Sequence, residues 1–69
     1  MSTKKNILTG REKEIARLSF KGKINKEIAS ELGISVRTVE THKTHIYNKL
    51  GINNIVELMR FVADNEDIL

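Results

Sequence analysis

The stretch RTVETHKTH, residues 37–45, concentrates the side chains of this 69-residue chain that could do chemistry. His42 and His45 stand three positions apart, a spacing that puts two helical side chains on one face. A metal is the first candidate for such a pair. Structural zinc takes four protein ligands and catalytic zinc three. Glu40 is the only carboxylate within the same stretch, and the chain has no cysteine. No metal site or cofactor is therefore expected. Covalent or acid–base catalysis fares no better. Ser19, Ser30 and Ser35 belong to no evident Ser/His/Asp grouping, and so short a chain cannot enclose a substrate pocket. No catalytic residue is expected, and the chain is not read as an enzyme. His42 then has two compatible roles, packing with one ring nitrogen on the backbone or donating an N–H to a phosphate. His45 is read as a solvated or flanking residue.

The remaining chemistry is recognition of a polyanion. Taken as a helix with Val36, Val39, Ile46 and Leu50 turned inward, the segment points Arg37, Glu40, Thr41, Lys43 and Thr44 outward. A helix surface built for solubility alone favours Lys, Glu and Gln. Here it holds three threonines, Thr38, Thr41 and Thr44, whose helix propensity is weaker. Short hydroxyl and methyl groups suit contact with base edges and phosphates, and Arg37 and Lys43 suit phosphates. Double-stranded DNA is a partner that such a face would suit. A merely solvated face is the alternative, and salt dependence separates the two, because each neutralised phosphate steepens the fall of log affinity with log salt by about 0.9.

Composition alone favours a soluble basic domain with an acidic tail over nucleic-acid binding, so pattern must decide between them. The net charge is +3, but residues 1–50 hold 11 Lys/Arg against 5 Asp/Glu, whereas residues 51–69 hold 1 Arg against 4 Asp/Glu. The basic part carries the candidate anion-binding surface, and the acidic last segment is expected to face elsewhere. No apolar run approaches the ~20 residues of a membrane span. MSTKKN lacks the apolar core of a signal peptide. The expectation is a soluble, cytoplasmic domain with no membrane partner.

Capping residues and glycines divide the chain into helices. In TGREKEIARLSFKG, Thr9 and Glu12 make a capping box. Leu8 precedes the cap, Ile15 and Leu18 give the apolar face with Ala16 beside them, and Gly22 is the left-handed stop. In NKEIASELG, Asn25 is read as the cap, with Ile28, Ala29 and Leu32 buried and Gly33 as the end. About two turns fit, too few to stand alone. Ser35 caps the third helix, which runs to Gly51. In NIVELMRFVAD, Asn54 and Glu57 form a second box-like pair. Ile55, Leu58, Met59 and Val62 follow at i, i+3, i+4, i+7, an amphipathic stripe. Ile55, Leu58 and Val62 are assigned to the core. Val56, Met59 and Ala63 lie on a neighbouring stripe available to a two-fold interface. The fold class is all-α, a four-helix bundle.

Only Gly33, Ile34 and Ser35 separate the second and third helices. A helix-turn-helix needs a small residue for close approach, a glycine for positive φ and an apolar anchor in the second helix. Ala29, Gly33 and Val39 supply them, although Ala and Gly at these offsets also occur in an ordinary helix corner with no ligand.

With these pieces in place, the run LTGREKEIARL…NKEIASELGISVRTVETHKTHIYNKLGI resembles the LuxR/GerE-type helix-turn-helix domain, the output domain of NarL/FixJ-class response regulators and of quorum-sensing regulators. The resemblance covers about residues 8–63. It is carried by Leu8-Thr9-x-Arg11-Glu12, Asn25-Lys26-Glu27-Ile28-Ala29, Leu32, Ile34-Ser35, Thr38-Val39, His42, Ile46 and Lys49-Leu50. It implies a bacterial transcription regulator whose third helix enters the major groove and which pairs as a homodimer through the fourth helix. RNA polymerase is the implied downstream partner where the protein activates. Carried onto this chain, base reading falls to Glu40, Thr41 and Thr44. Phosphate binding falls to Lys26, Ser35, Arg37, Thr38, His42 and Lys43, with Lys49 adding charge near the backbone. The dimer contact falls to Val56, Met59 and Ala63.

Two residues depart from the family pattern. Glu40 stands where many members have Lys or Arg. A carboxylate can accept from cytosine N4 but repels phosphate, so Glu40 is expected to discriminate rather than add affinity. Ile55 stands where many members carry arginine, so no phosphate contact is expected there. The expected division is an N-terminal segment 1–7, flexible, a DNA-binding domain 8–64 and a frayed tail 65–69. The chain is either a stand-alone regulator of the GerE type or an output domain that follows a receiver. A helical protein-interaction module that has lost DNA binding is the alternative function.

Overall fold

The computed structural model describes residues 8–65. The expected segment 1–7 and the tail beyond Asn65 lie outside the described residues. Four helices follow in order: α1 (Gly10–Phe20), α2 (Asn25–Leu32), α3 (Val36–Leu50) and α4 (Ile55–Asp64). Among the described residues there is no strand, and the chain is the all-α four-helix bundle with a helix-turn-helix read from its sequence.

Local chemistry sets most boundaries. The Thr9 hydroxyl accepts from the Glu12 N–H at 3.1 Å, and the Glu12 carboxylate accepts from the Thr9 N–H at 2.9 Å. Both arms of the capping box are thus present, satisfying two N–H groups a helix start leaves open. Ser35 Oγ accepts from the Thr38 N–H at 3.0 Å at the head of α3. At α4, Asn54 Oδ1 accepts from the Glu57 N–H, but Glu57 reaches back to the N–H of Asn53 rather than Asn54.

Helix α2 starts differently from expectation. Its cap is Ile24, and Asn25 is the first helical residue. Isoleucine has no acceptor, so only the reverse arm forms, from the Ile24 N–H to Glu27 Oε1 at 3.0 Å. Among the described residues the buried Asn25 Oδ1 has no hydrogen-bond partner.

Gly33 carries α2 into α3. Its φ of +70° is left-handed, a region that costs residues with a Cβ about 1–2 kcal/mol. The turn lets the Ile34 N–H bond back to Ala29 O at 3.0 Å. Gly51 ends α3 in the same way, with the Ile52 N–H on Tyr47 O at 3.0 Å.

Helix α1 packs against the other three, and α2 also lies on α3. Ile15, Ile28, Val39, Ile46 and Leu58 are fully buried at the centre, with Leu8, Ala16, Ala29, Leu50 and Val62 around them. Leu32 and Ile34 pack partly against this core. Two expected core residues do not join it. Val36 and Ile55 are each 39% exposed. Each opens its helix at the edge of the apolar face: at ~100° per residue, Val36 lies about 60° from the middle of Val39–Ile46–Leu50 and Ile55 about 40° from the middle of Leu58–Val62.

Candidate nucleic-acid interface

Helix α3 presents two unlike sides. Val39, Ile46 and Leu50 anchor it in the core. On the opposite side Arg37, Glu40, Thr41, Thr44 and Asn48 are all exposed. Thr44 Oγ1 donates to Glu40 O at 3.1 Å, a backbone contact that ties down the hydroxyl. Ser35 and Thr38 are tied to each other at the head of the helix, their hydroxyl oxygens 2.9 Å apart. Lys26 is exposed in the first turn of α2. Among the described residues neither Lys26 nor Arg37 is in an ion pair, so both charges face solvent uncompensated.

Two expected contacts are placed otherwise. Lys49 was expected to add charge near the DNA backbone. Instead its Nζ donates to Glu12 Oε1 at 2.8 Å. The Glu12 side chain is 4% exposed and the Lys49 side chain 36%. Position decides this: Lys49 follows Asn48 by one residue, a step of about 100° that swings it off the outward face toward α1. Burial pushes the Glu12 carboxyl up, but the Lys49 and Thr9 hydrogen bonds and the Lys49 and His42 charges outweigh it and hold the group below its usual value.

Lys43 was expected to point outward. It is half-buried, because it lies four residues from Val39 and so only about 40° from the core line. Its stem lines a shallow hollow of about 320 Å³ with Ser19, Ile24, Asn25, Ile55 and Met59. Burial lowers its amine from the ordinary lysine value. The Ser19 hydroxyl, like the Asn25 side-chain carbonyl oxygen, is buried there without a partner among the described residues.

The histidines separate as well. His42 is half-buried, its buried Nδ1 without a partner among the described residues, while His45 is exposed. Among the described residues no three His, Cys, Asp or Glu side chains converge on a possible metal position.

Helix α4 leaves an apolar stripe uncovered. Val56 is 65% exposed, Ala63 is exposed and Met59 half-buried, with Ile55 alongside. Two residues escaped the sequence reading. Glu12 was seen as a cap but not as the partner of Lys49, a contact 37 positions away. Asn48 continues the outward line of α3 one turn beyond Thr44, a signal that the spacing already contained.

Comparison with known proteins agrees with this geometry. A family model described as bacterial regulatory proteins, luxR family, matches residues 6–62. The oxygen regulatory protein NreC of Staphylococcus aureus, in strains JH9 and USA300, is 54% identical over 55 residues. That alignment takes in 80% of this chain and 25% of NreC, so the chain spans about a quarter of the curated relatives it matches. The crystal structure of response regulator ChrA, from a heme-sensing two-component system, superposes with a TM-score of 0.82 at 34% identity. It covers 93% of this chain and 31% of ChrA.

Proposed function

The chain belongs to the luxR family of bacterial regulatory proteins, as a DNA-binding transcription-regulator domain, and on that premise we propose that it reads a specific operator with α3 in the major groove. The observation that carries this is the exposed line Arg37, Thr41, Thr44 on α3, opposite a fully buried anchor. It is short-chained, hydroxylic and basic at its N-terminal end, where the helix dipole also favours phosphate.

Glu40, Thr41 and Thr44 meet base edges. Glu40 accepts from a cytosine N4 amine and penalises sites that put a phosphate or acceptor there. Lys26, Ser35, Arg37, Thr38 and His42 hold phosphates and set orientation. Lys43 joins them only by extending its amine from the hollow, as lysines with buried stems do. Lys49 is left out of this set, because Glu12 holds its ammonium.

Two copies pair through α4 by Val56, Met59 and Ala63, with Ile55 at the margin. A two-fold contact of this kind is self-complementary, and the uncovered stripe supports it. The domain acts as the output part of a response regulator, a reading supported by its superposition on part of the response regulator ChrA. RNA polymerase is the downstream partner where the protein activates.

Selection from a random duplex library, followed by sequencing of what the protein retains, tests this function. A half-site repeated at fixed spacing is the expected result, and inversion would show two-fold symmetry. No enrichment at low salt would refute sequence reading.

A further inference from the structure

On the strength of the groove placement proposed above, we infer that Asn48 is a further base-reading residue, recognising an adenine one turn of α3 beyond Thr44. Arg37, Thr41, Thr44 and Asn48 follow at steps of four, three and four residues, which keeps them on one face. All four are exposed. The neighbours of Asn48 turn elsewhere. Tyr47 packs partly against the core, Lys49 is held by Glu12 and Leu50 is buried. Asn48 alone continues the outward line through the last turn of the helix. Among the described residues its amide has no hydrogen-bond partner.

Chemistry selects the ligand. From Thr41 to Asn48 a helix advances about 10 Å, roughly three base-pair steps at ~3.4 Å each. A helix lying along the groove keeps that length over base edges. Asn48 sits two residues from the C-terminal end of α3, where the helix dipole is negative and disfavours a phosphate. A base edge carries no net charge. The asparagine amide offers one donor and one acceptor side by side, the complement of adenine N7 and N6–H₂. Arg37 at the opposite, positive end takes the phosphate wall. The two ends of one exposed line are thus suited to different parts of the duplex.

The test is parallel selection from random duplexes with the wild-type chain and Asn48→Ala. The wild type should enrich an adenine at one outer position of its half-site. The variant should lose preference at that position and keep the others. Its affinity for the best wild-type duplex should fall roughly 5- to 150-fold. The slope of log affinity against log salt should not change, because asparagine neutralises no phosphate charge. Alanine at an exposed helical site favours the helix, so thermal unfolding of the variant checks that the fold is retained. Unchanged preferences at every position would overturn the inference and place Asn48 outside the groove. A uniform loss on all duplexes would overturn it in favour of a phosphate contact. If the wild type itself enriched no motif, the DNA-reading function would fail first and this inference with it.

Discussion

Replacing Lys49 by methionine should destabilise the domain while leaving DNA contacts in place. Methionine keeps the stem and removes the ammonium from Glu12. Among the described residues, the carboxylate then stays buried with only the Thr9 N–H as its partner. Breaking a buried pair by removing one partner costs about 3–5 kcal/mol, and an exposed pair is worth roughly 0–1 kcal/mol. Glu12 is buried but the Lys49 side chain is 36% exposed, so water screens part of the loss. A cost of about 2 kcal/mol is in keeping with a hydrogen bond to a charged group. In a domain of this size that lowers the melting temperature by roughly 8–16 °C. Circular dichroism against temperature at neutral pH measures it.

The sign of the pH dependence supplies a second arm. Glu12 titrates below its ordinary value of 4.5 in the folded chain. Its contribution is therefore complete above that value and is lost as the pH falls through the folded-state value. In Lys49→Met the burial remains while the Lys49 contributions vanish, so the carboxyl titrates higher. The gap between variant and wild type should be full near pH 7 and shrink in acid. A melting temperature within about 2 °C of wild type would refute the pairing as a structural one, 1 kcal/mol being worth ~4–8 °C. A gap independent of pH would refute its electrostatic basis. The salt slope of DNA binding should stay unchanged, whereas a phosphate-binding Lys49 would lower it by about 0.9.

Arg37→Ala should weaken binding to all duplexes and reduce the salt slope by about 0.9 in a titration series, whereas Thr44→Ala should change which sequence is enriched more than it changes overall affinity. Gly33→Ala should cost about 1–2 kcal/mol in denaturant unfolding, from the left-handed backbone alone, because an added Cβ would meet nothing within 4 Å. Val56→Glu should abolish pairing in analytical ultracentrifugation with the fold intact, since Val56 is 65% exposed and exposed substitutions usually stay within ~0.5 kcal/mol.

What the sequence determined by itself was local. Thr9 with Glu12, Ser35, Asn54 and the glycines act on backbone groups within a few residues, so spacing alone reveals them. The Ala29–Gly33–Val39 joint and the threonine-rich face of α3 are local for the same reason, and four helices with a helix-turn-helix follow from them. The start of α2 was misread because Asn25 is a common cap residue and isoleucine is not. Tertiary packing decided the rest. Lys49 and Glu12 are 37 positions apart, and only the docking of α3 on α1 brings the ammonium to the carboxylate. Val36 and Ile55 match an apolar pattern yet stay uncovered, since periodicity gives a direction around a helix but not whether another helix lies there. Lys43 reads as surface charge, yet the hollow beside α4 takes its stem. Spacing along one helix can show which residues share a face, but burial and pairing between helices depend on where the whole chain puts its neighbours.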